Sequence, residues 1–394
     1  MKLLRTTVAV TALAILFGAP AYAARAYIGT YTPNPADPHA YANGKGEGIY
    51  LVNVDETTGA LSDLKLVAKD RSPSWFALSA DRKFLYATNE IDSYGPNKSG
   101  SVTAYAVDAK SGALKKLNTV DSGGAGPAYI SVHASGKFAL VANYIGGSFS
   151  VLPIRPDGSL GEASDVVKPG GPTNSASAVD APPGQEPSSP NRITHGHMIA
   201  SDPSGQYVVG DDAGRDKIFV WRLNTETGKL TEVSVTTALA GSAPRHFGFS
   251  PDGKTLYQIG EYNARLTTYG FANGKLTQKG QSISALPGGY QGSGTASRLL
   301  VSASGKNVYS ANRTHNSIAT FAVGADGIAT KLAITPTEGE HPRSLAIDPS
   351  GKFFYSLNLR ANNIAAFRLQ PDGVPRFTGK FLAVSAPAVM VFLP

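Results

Sequence analysis

One motif recurs along the whole chain, and it restricts the fold more than any other feature of the sequence. A turn containing Gly-Lys or a close variant leads into a short apolar segment carrying Tyr or Phe. A polar residue follows three positions after the aromatic or its equivalent. Clear copies occupy residues 250–257 and 348–355, and others begin at 81, 135, 203 and 304. The polar column falls at Asn89, Asn143, Asp211, Gly260, Asn312 and Asn358, with Thr30 as its seventh member, at intervals of 46 to 68 residues. After each copy comes a second alternating segment, at 48–51, 101–105, 148–151, 217–221, 265–269, 317–321 and 363–367, and most then reach a turn such as Asp157-Gly158 or Asp372-Gly373. Four short strands per repeat of about fifty residues make one propeller blade, whose sheet buries both faces against its neighbours. The count predicts an all-β, seven-bladed β-propeller.

The ends predict how the ring closes. The first copy enters at its second strand, 27–30, and the chain ends in an unpaired apolar segment, 388–392. The last segment is therefore expected to be the innermost strand of the blade that the N-terminus begins, which removes two exposed edges. Residues 1–23 carry Lys2 and Arg5, an apolar run over 8–17 and the small-residue ending Ala21-Tyr22-Ala23. This pattern reads as a cleaved signal peptide, leaving a propeller domain over 24–394, no membrane span, and a secreted, periplasmic product. The chain has no cysteine, which excludes a disulfide framework and leaves stability to the hydrophobic core. A net charge of +7 falls to +5 once Lys2 and Arg5 leave, which suits anionic small molecules. The basic residues are scattered rather than interleaved with aromatics, so nucleic acid is not an expected partner. Oligomeric state is not legible. The Pro-, Gly- and Ser-rich stretch 168–192 is expected to be a loop within the ring.

Because the first two strands of a blade are antiparallel, the start of one lies beside the end of the next. Two columns therefore converge on one face. The first comprises Ser72-Pro73-Ser74, Gly126-Pro127-Ala128, His195-Gly196-His197, Ala243-Pro244-Arg245-His246, Thr295-Ala296-Ser297-Arg298, His341-Pro342-Arg343 and Ala386-Pro387-Ala388. The second comprises Asn89-Glu90, Asn143-Tyr144, Asp211-Asp212, Gly260-Glu261, Asn312-Arg313 and Asn358-Leu359. Four of the seven histidines fall in the first column. Asn at strand ends commonly bonds turn backbone, so Asn89, Asn143, Asn312 and Asn358 read as structural. His197, Arg245, Glu261 and Arg313 read as functional, because four ionisable groups aimed at one mouth require mutual neutralisation or a ligand. Their expected surroundings are Tyr144, His195, Asp212, His246, Arg298 and Arg343.

Residues 248–255 fit the P-loop pattern, yet a strand follows where a P-loop requires a helix. His195 and His197, two apart on a strand, share a face, but no third fixed ligand accompanies them and no metal is expected. There is no G-x-S-x-G elbow and no H-E-x-x-H.

Taken in order, one per blade, the segments Tyr27-Ile28-Gly29-Thr30-Tyr31, Ala142-Asn143-Tyr144-Ile145-Gly146-Gly147-Ser148, His195-Gly196-His197, Asp212-Ala213-Gly214-Arg215-Asp216-Lys217-Ile218, Ala243-Pro244-Arg245-His246, Asn312-Arg313 and Pro342-Arg343 resemble the seven-bladed propeller lactonases. That family includes propeller-type 6-phosphogluconolactonases and carboxymuconate-cyclising enzymes. The resemblance implies hydrolysis of a lactone or its reverse without an obligatory cofactor, acting on a small-molecule lactone or sugar acid. It places the cyclising enzymes' site on His197, Arg245, Glu261 and Arg313. The family usually has Gly-Pro-Arg-His, Asn-Glu and Asp-Leu-Gly where this chain has Ala243-Pro244-Arg245-His246, Gly260-Glu261 and Asp212-Ala213-Gly214.

Opening a lactone requires an activated water, a place for the developing oxyanion and a proton for the leaving alkoxide. In this reading Glu261 activates water, Arg245 and Arg313 hold the oxyanion or an anionic substituent, and His197 protonates the ring oxygen; the roles of Glu261 and His197 are exchangeable. Two alternatives use the same face: a lactonising cycloisomerase, and a non-catalytic envelope propeller that binds a sugar acid, polysaccharide or protein. A binding module would more often present aromatics at the mouth, where the sequence places mainly Tyr144.

Overall fold

The computed structural model of the chain describes residues 24–33, 44–170 and 193–393. The segment 1–23, expected to be a signal peptide, and most of the stretch 168–192, expected to be a loop, lie outside the described residues. Within them, twenty-eight strands form seven four-stranded antiparallel sheets. The innermost strands, from the first blade to the seventh, are Pro387–Phe392, Pro73–Leu78, Pro127–Val132, Gly196–Ser201, Pro244–Phe249, Ala296–Val301 and Pro342–Ile347. Each packs on the next around a central channel. Ala24–Thr30 pairs with Pro387–Phe392, with Ile28 opposite Met390 and Gly29 opposite Val389. The C-terminal strand touches the inner strands of both the seventh and second blades. Thus the chain's last strand completes its first blade, as the unpaired apolar ending predicts.

The repeat residues show why blades stack. Second strands such as Thr255–Gly260 and Phe353–Asn358 are buried along their whole length, whereas outer strands such as Leu230–Thr237 have no fully buried residue. The repeat tyrosine reaches sideways to lock adjacent blades. Tyr27 Oη donates to Gly112 O, Tyr257 to Gly327 O, Tyr309 to Gly373 O and Tyr355 to Gly59 O, all between 2.9 and 3.0 Å. Each accepting glycine has φ between 71° and 86°, the left-handed conformation that only glycine adopts without strain. One side-chain bond thereby ties the aromatic of one repeat to the turn of the next.

The Asn column is structural. Asn89, Asn143, Asn312 and Asn358 donate from Nδ2 to Arg71 O, Ser122 O, Ala285 O and Thr337 O respectively, the carbonyls of the segments entering their blades. At Gly260 an added Cβ would lie 2.3 Å from Asn263 Oδ1, so Asn263 fills the space that a side chain at 260 would need.

Candidate active site

Every inner strand begins with the same irregularity. Where the pairing of first and second strands starts, the register shifts, leaving Ser74, Ala128, His197, Arg245, Arg343 and Ala388 without an opposite residue. In the sixth blade the shift spans Ser297 and Arg298. A β-bulge re-aims the extra side chain, and here it aims seven of them at the channel. In five blades the residue two before the bulge has positive φ: Ser72 41°, Gly126 59°, Ala243 53°, His341 59° and Ala386 45°. The carbonyls of these five accept the N–H groups of Glu90, Tyr144, Glu261, Leu359 and Tyr31, at 2.8 to 3.0 Å, and Thr295 O accepts Arg313 N–H at 2.7 Å. In these five blades the left-handed turn thus fixes the next-strand residue beside the bulge.

The result is a layered mouth. One ring consists of the bulge residues. A second consists of Tyr31, Glu90, Tyr144, Ala213, Glu261, Arg313 and Leu359, each donating its N–H to the residue two before the bulge. Asp212, opposite Gly196, takes the place that Asn89 holds opposite Pro73, so the repeat column expected at Asp211 lies one residue later in this blade. Size alternates between them: small Ser74, Ala128 and Ala388 sit in blades whose second-ring residues are Glu90, Tyr144 and Tyr31. Residues following the bulges form the floor, where Trp75 and Tyr129 pack with ring centroids 4.6 Å apart and His246 stands edge-on to both. Arg298 lies over Trp75 at 4.6 Å, with its Nη1 3.4 Å from His246 Nδ1. Beneath is a cavity of about 270 Å³, lined in part by Trp75, Tyr129, Arg298, Leu345 and Met390.

The four residues expected to act together occupy one wall. Glu261 lies between two guanidiniums, 3.2 Å from Arg245 Nε through Oε2 and bonded to Arg313 Nη2 through Oε1. Arg245 shares its blade with Glu261, Arg313 enters from the next blade, and His197 from the preceding one. Burial alone would raise the Glu261 carboxyl, but Arg313 and Arg245 outweigh it and hold the group below its ordinary value. His197 is pushed well below the usual imidazole range by burial, then by Arg245, Arg343 and Arg313, so it is neutral at neutral pH. Its ring lies edge-on to Tyr144 at 5.5 Å and to His246 at 5.2 Å. His246 is depressed likewise by burial and then by Arg245, and His341 falls to about 3 through burial and then Arg313.

The other expected residues divide. Tyr144 and Arg343 line the mouth. His195 stacks on Tyr144 at 4.8 Å and bonds Tyr144 O through Nδ1 at 2.8 Å, at the rim. Asp212 supports backbone, its Oδ1 accepting N–H from His195 and Gly214. His246 and Arg298 belong to the floor. Among the described residues no three His, Asp or Glu gather to hold a metal.

Several contributors were not singled out from the sequence. Tyr31 donates to Glu90 Oε2 at 2.8 Å and accepts from Arg343 Nε at 3.2 Å, forming a second carboxylate–guanidinium cluster on the opposite arc. With Trp75 and Tyr129 below, the channel is more aromatic than Tyr144 alone suggests. Asp216 is buried and accepts Gly241 N–H and Ala243 N–H at 2.7 and 2.8 Å, bracing the turn before Arg245. Tyr31 and Glu90 share the repeat column of Glu261, which is the signal that finds them.

Chemically, the mouth can bind and polarise a carbonyl or carboxylate through guanidiniums and offers a neutral imidazole to take a proton. The model of a family described as lactonase, 7-bladed β-propeller, matches residues 25–392. A 6-phosphogluconolactonase of Bacillus subtilis is 32% identical over 325 residues, 82% of this chain and 84% of that protein. The structure of a Pseudomonas aeruginosa periplasmic gluconolactonase superposes with a TM-score of 0.82 at 29% identity, covering 94% of this chain and 99% of that one. A putative 6-phosphogluconolactonase of Bacteroides fragilis superposes with a TM-score of 0.79 at 30% identity over 95% and 99%.

Proposed function

Since this chain belongs to the seven-bladed β-propeller lactonase family, we propose that it hydrolyses the lactone of a sugar acid or a related acidic lactone at the channel mouth, without a cofactor, and that it does so in the periplasm after removal of residues 1–23. The observation that carries the chemistry is the convergence of Arg245 and Arg313 on Glu261 beside a neutral His197. Of the two exchangeable assignments, this arrangement supports His197 as the proton carrier. Each oxygen of Glu261 faces a guanidinium, whereas His197 Nδ1 has no hydrogen-bond partner among the described residues and is open to a proton. Water gives a proton to His197 as its oxygen bonds to the lactone carbonyl carbon, and the guanidinium of Arg245 stabilises the oxyanion. The ring C–O bond then breaks as His197 returns the proton to the departing alkoxide, leaving a hydroxy acid. Glu261 holds both guanidiniums in position. Arg343 and Tyr144 face the remainder of the substrate, and periplasmic placement has its support in the gluconolactonase likeness and the N-terminal pattern.

The test is acid release in a pH-stat by the purified mature protein, across a panel of neutral and acidic aldonolactones and over a range of pH. Acidic lactones are expected to give the highest kcat/KM. Because His197 keeps its base form below the usual imidazole pKa, kcat/KM should stay level as pH drops through about 6.5 and decline only further down. An acid limb centred at 6.5 or higher would remove His197 from the role. Failure to open any lactone would overturn the reading as a whole.

A further inference from the structure

We infer that Glu90, kept at a fixed stand-off from Arg343 by the Tyr31 hydroxyl, is a specificity-determining residue that sets how strongly the mouth prefers a carboxylate- or phosphate-bearing ligand over a neutral one. The inference deepens the lactonase reading and rests on it for its kinetic arm.

The two carboxylates of the mouth are built differently. Glu261 is closed by two guanidiniums in direct contact. Glu90 approaches Arg343 no nearer than 3.7 Å, and Tyr31 stands between them, donating to the carboxylate and accepting from the guanidinium. Tyr31 can stand there because its ring packs with Leu359, Ala386 and Ala388, the small or apolar members of blades seven and one. Positions that look empty of function in the sequence are the space the tyrosine needs. Glu90 is fixed from behind by its N–H to Ser72 O at 3.0 Å, and Tyr31 by its N–H to Ala386 O at the same distance.

The positive charge of Arg343 acts across the mouth, lowering His197 and contributing to the depression of Glu261. An anionic ligand that reaches Arg343 meets Glu90 as a competitor and a like charge. Guanidinium–carboxylate contact is strong when it is direct and falls off with separation. A hydroxyl spacer therefore leaves Glu90 as a partial brake on anion binding. This geometry predicts effects of opposite sign: removing the Glu90 charge releases the brake, while removing the Tyr31 hydroxyl lets Glu90 close onto Arg343 and tightens it. A merely structural role would make both changes harmful alike.

The experiment compares the unaltered chain with Glu90→Gln, Tyr31→Phe and the double variant. Affinities for gluconate, 6-phosphogluconate, inorganic phosphate and neutral glucose are measured by calorimetry, and kcat/KM for one neutral and one acidic lactone by pH-stat. Glu90→Gln is expected to tighten the anions on the order of tenfold, with neutral ligands unchanged. Tyr31→Phe should weaken the anions several-fold, and the double variant should behave like Glu90→Gln, because the tyrosine acts through the carboxylate. If Tyr31→Phe does not fold, Glu90→Gln and Glu90→Asp carry the test, and only the former should tighten anions. Equal losses for anionic and neutral ligands, unchanged anion affinities, or no anion binding by the unaltered chain would each overturn the inference. Should no lactone be opened while the opposite-signed shifts appear, the lactonase reading fails and this one stands.

Discussion

A buried carboxylate between two guanidiniums is both a chemical and a stability element, and Glu261 shows the tension. From sequence, a strand-end Glu at an open mouth suggests that Glu261→Gln should lower turnover with little effect on folding. The structure alters the second half. Arg245 and Arg313 are 2% and 4% exposed at their side chains, and Glu261 lies against both. Removing its charge leaves two buried cations without their shared counter-ion, and breaking such a pair by neutralising one partner costs roughly 3 kcal/mol or more. Glu261→Gln is therefore expected to lower kcat by roughly 10²–10³, as for displacing an oxyanion-stabilising group, and also to lower Tm by several degrees, by thermal unfolding of the purified variant. A variant that melts with the parent would mean that the arginines are compensated elsewhere. The residue identities were legible because ionisable side chains cluster in two repeat columns that meet on one face. The sense of their pKa shifts was not, since it depends on burial and on how directly Arg313 meets Glu261, neither of which spacing encodes.

At the scale of the strand, the alternating pattern located both columns, save in the fourth blade, where the second lies one residue later, at Asp212, and it carried no sign of the bulges. A bulge is a property of pairing between two strands, and neither strand records it alone. Strict alternation placed His195 and His197 on one face; both rings pack on Tyr144, and the shift at His197 also brings its ring against His246 while His195 stays at the rim. The repeat aromatic offers a cleaner test. Tyr309 Oη donates to Gly373 O across a blade boundary, whereas Tyr86 Oη, at the same repeat position, is buried with no hydrogen-bond partner among the described residues. Replacing a buried bonded hydroxyl by hydrogen strands the acceptor, while replacing an unbonded one removes a desolvation penalty. Tyr309→Phe should then lose about 1 kcal/mol in chemical denaturation, and Tyr86→Phe should be neutral or slightly stabilising. Equal losses would show that the inter-blade bond contributes nothing beyond ring packing.

For the molecule as a whole, a seven-blade ring needs its last strand, and the strand that supplies closure also builds the site. Pro387–Phe392 pairs with Ala24–Thr30, packs on the inner strands of blades two and seven, lines the cavity beneath the floor with Val389, Met390 and Val391, and gives Tyr31 its Ala388 neighbour. This coupling was legible in outline, because an apolar segment with no partner at the end of a repeat array has few places to go. That it also shapes the mouth was not, since Ala386 and Ala388 look bland until Tyr31 is seen to pack against them. Truncation after Pro387 removes Ala388 to Phe392, most of them nearly or wholly buried, and bares the edge of Ala24–Thr30. The expected loss is several kcal/mol, as for deleting a core strand, with a lower Tm and greater aggregation on heating. Supplying residues 387–394 as a separate peptide should restore part of the Tm, because the vacated edge still offers the backbone pairing of Ala26 through Gly29. An unchanged Tm in the truncated chain would show that the ring is held shut by blade packing alone.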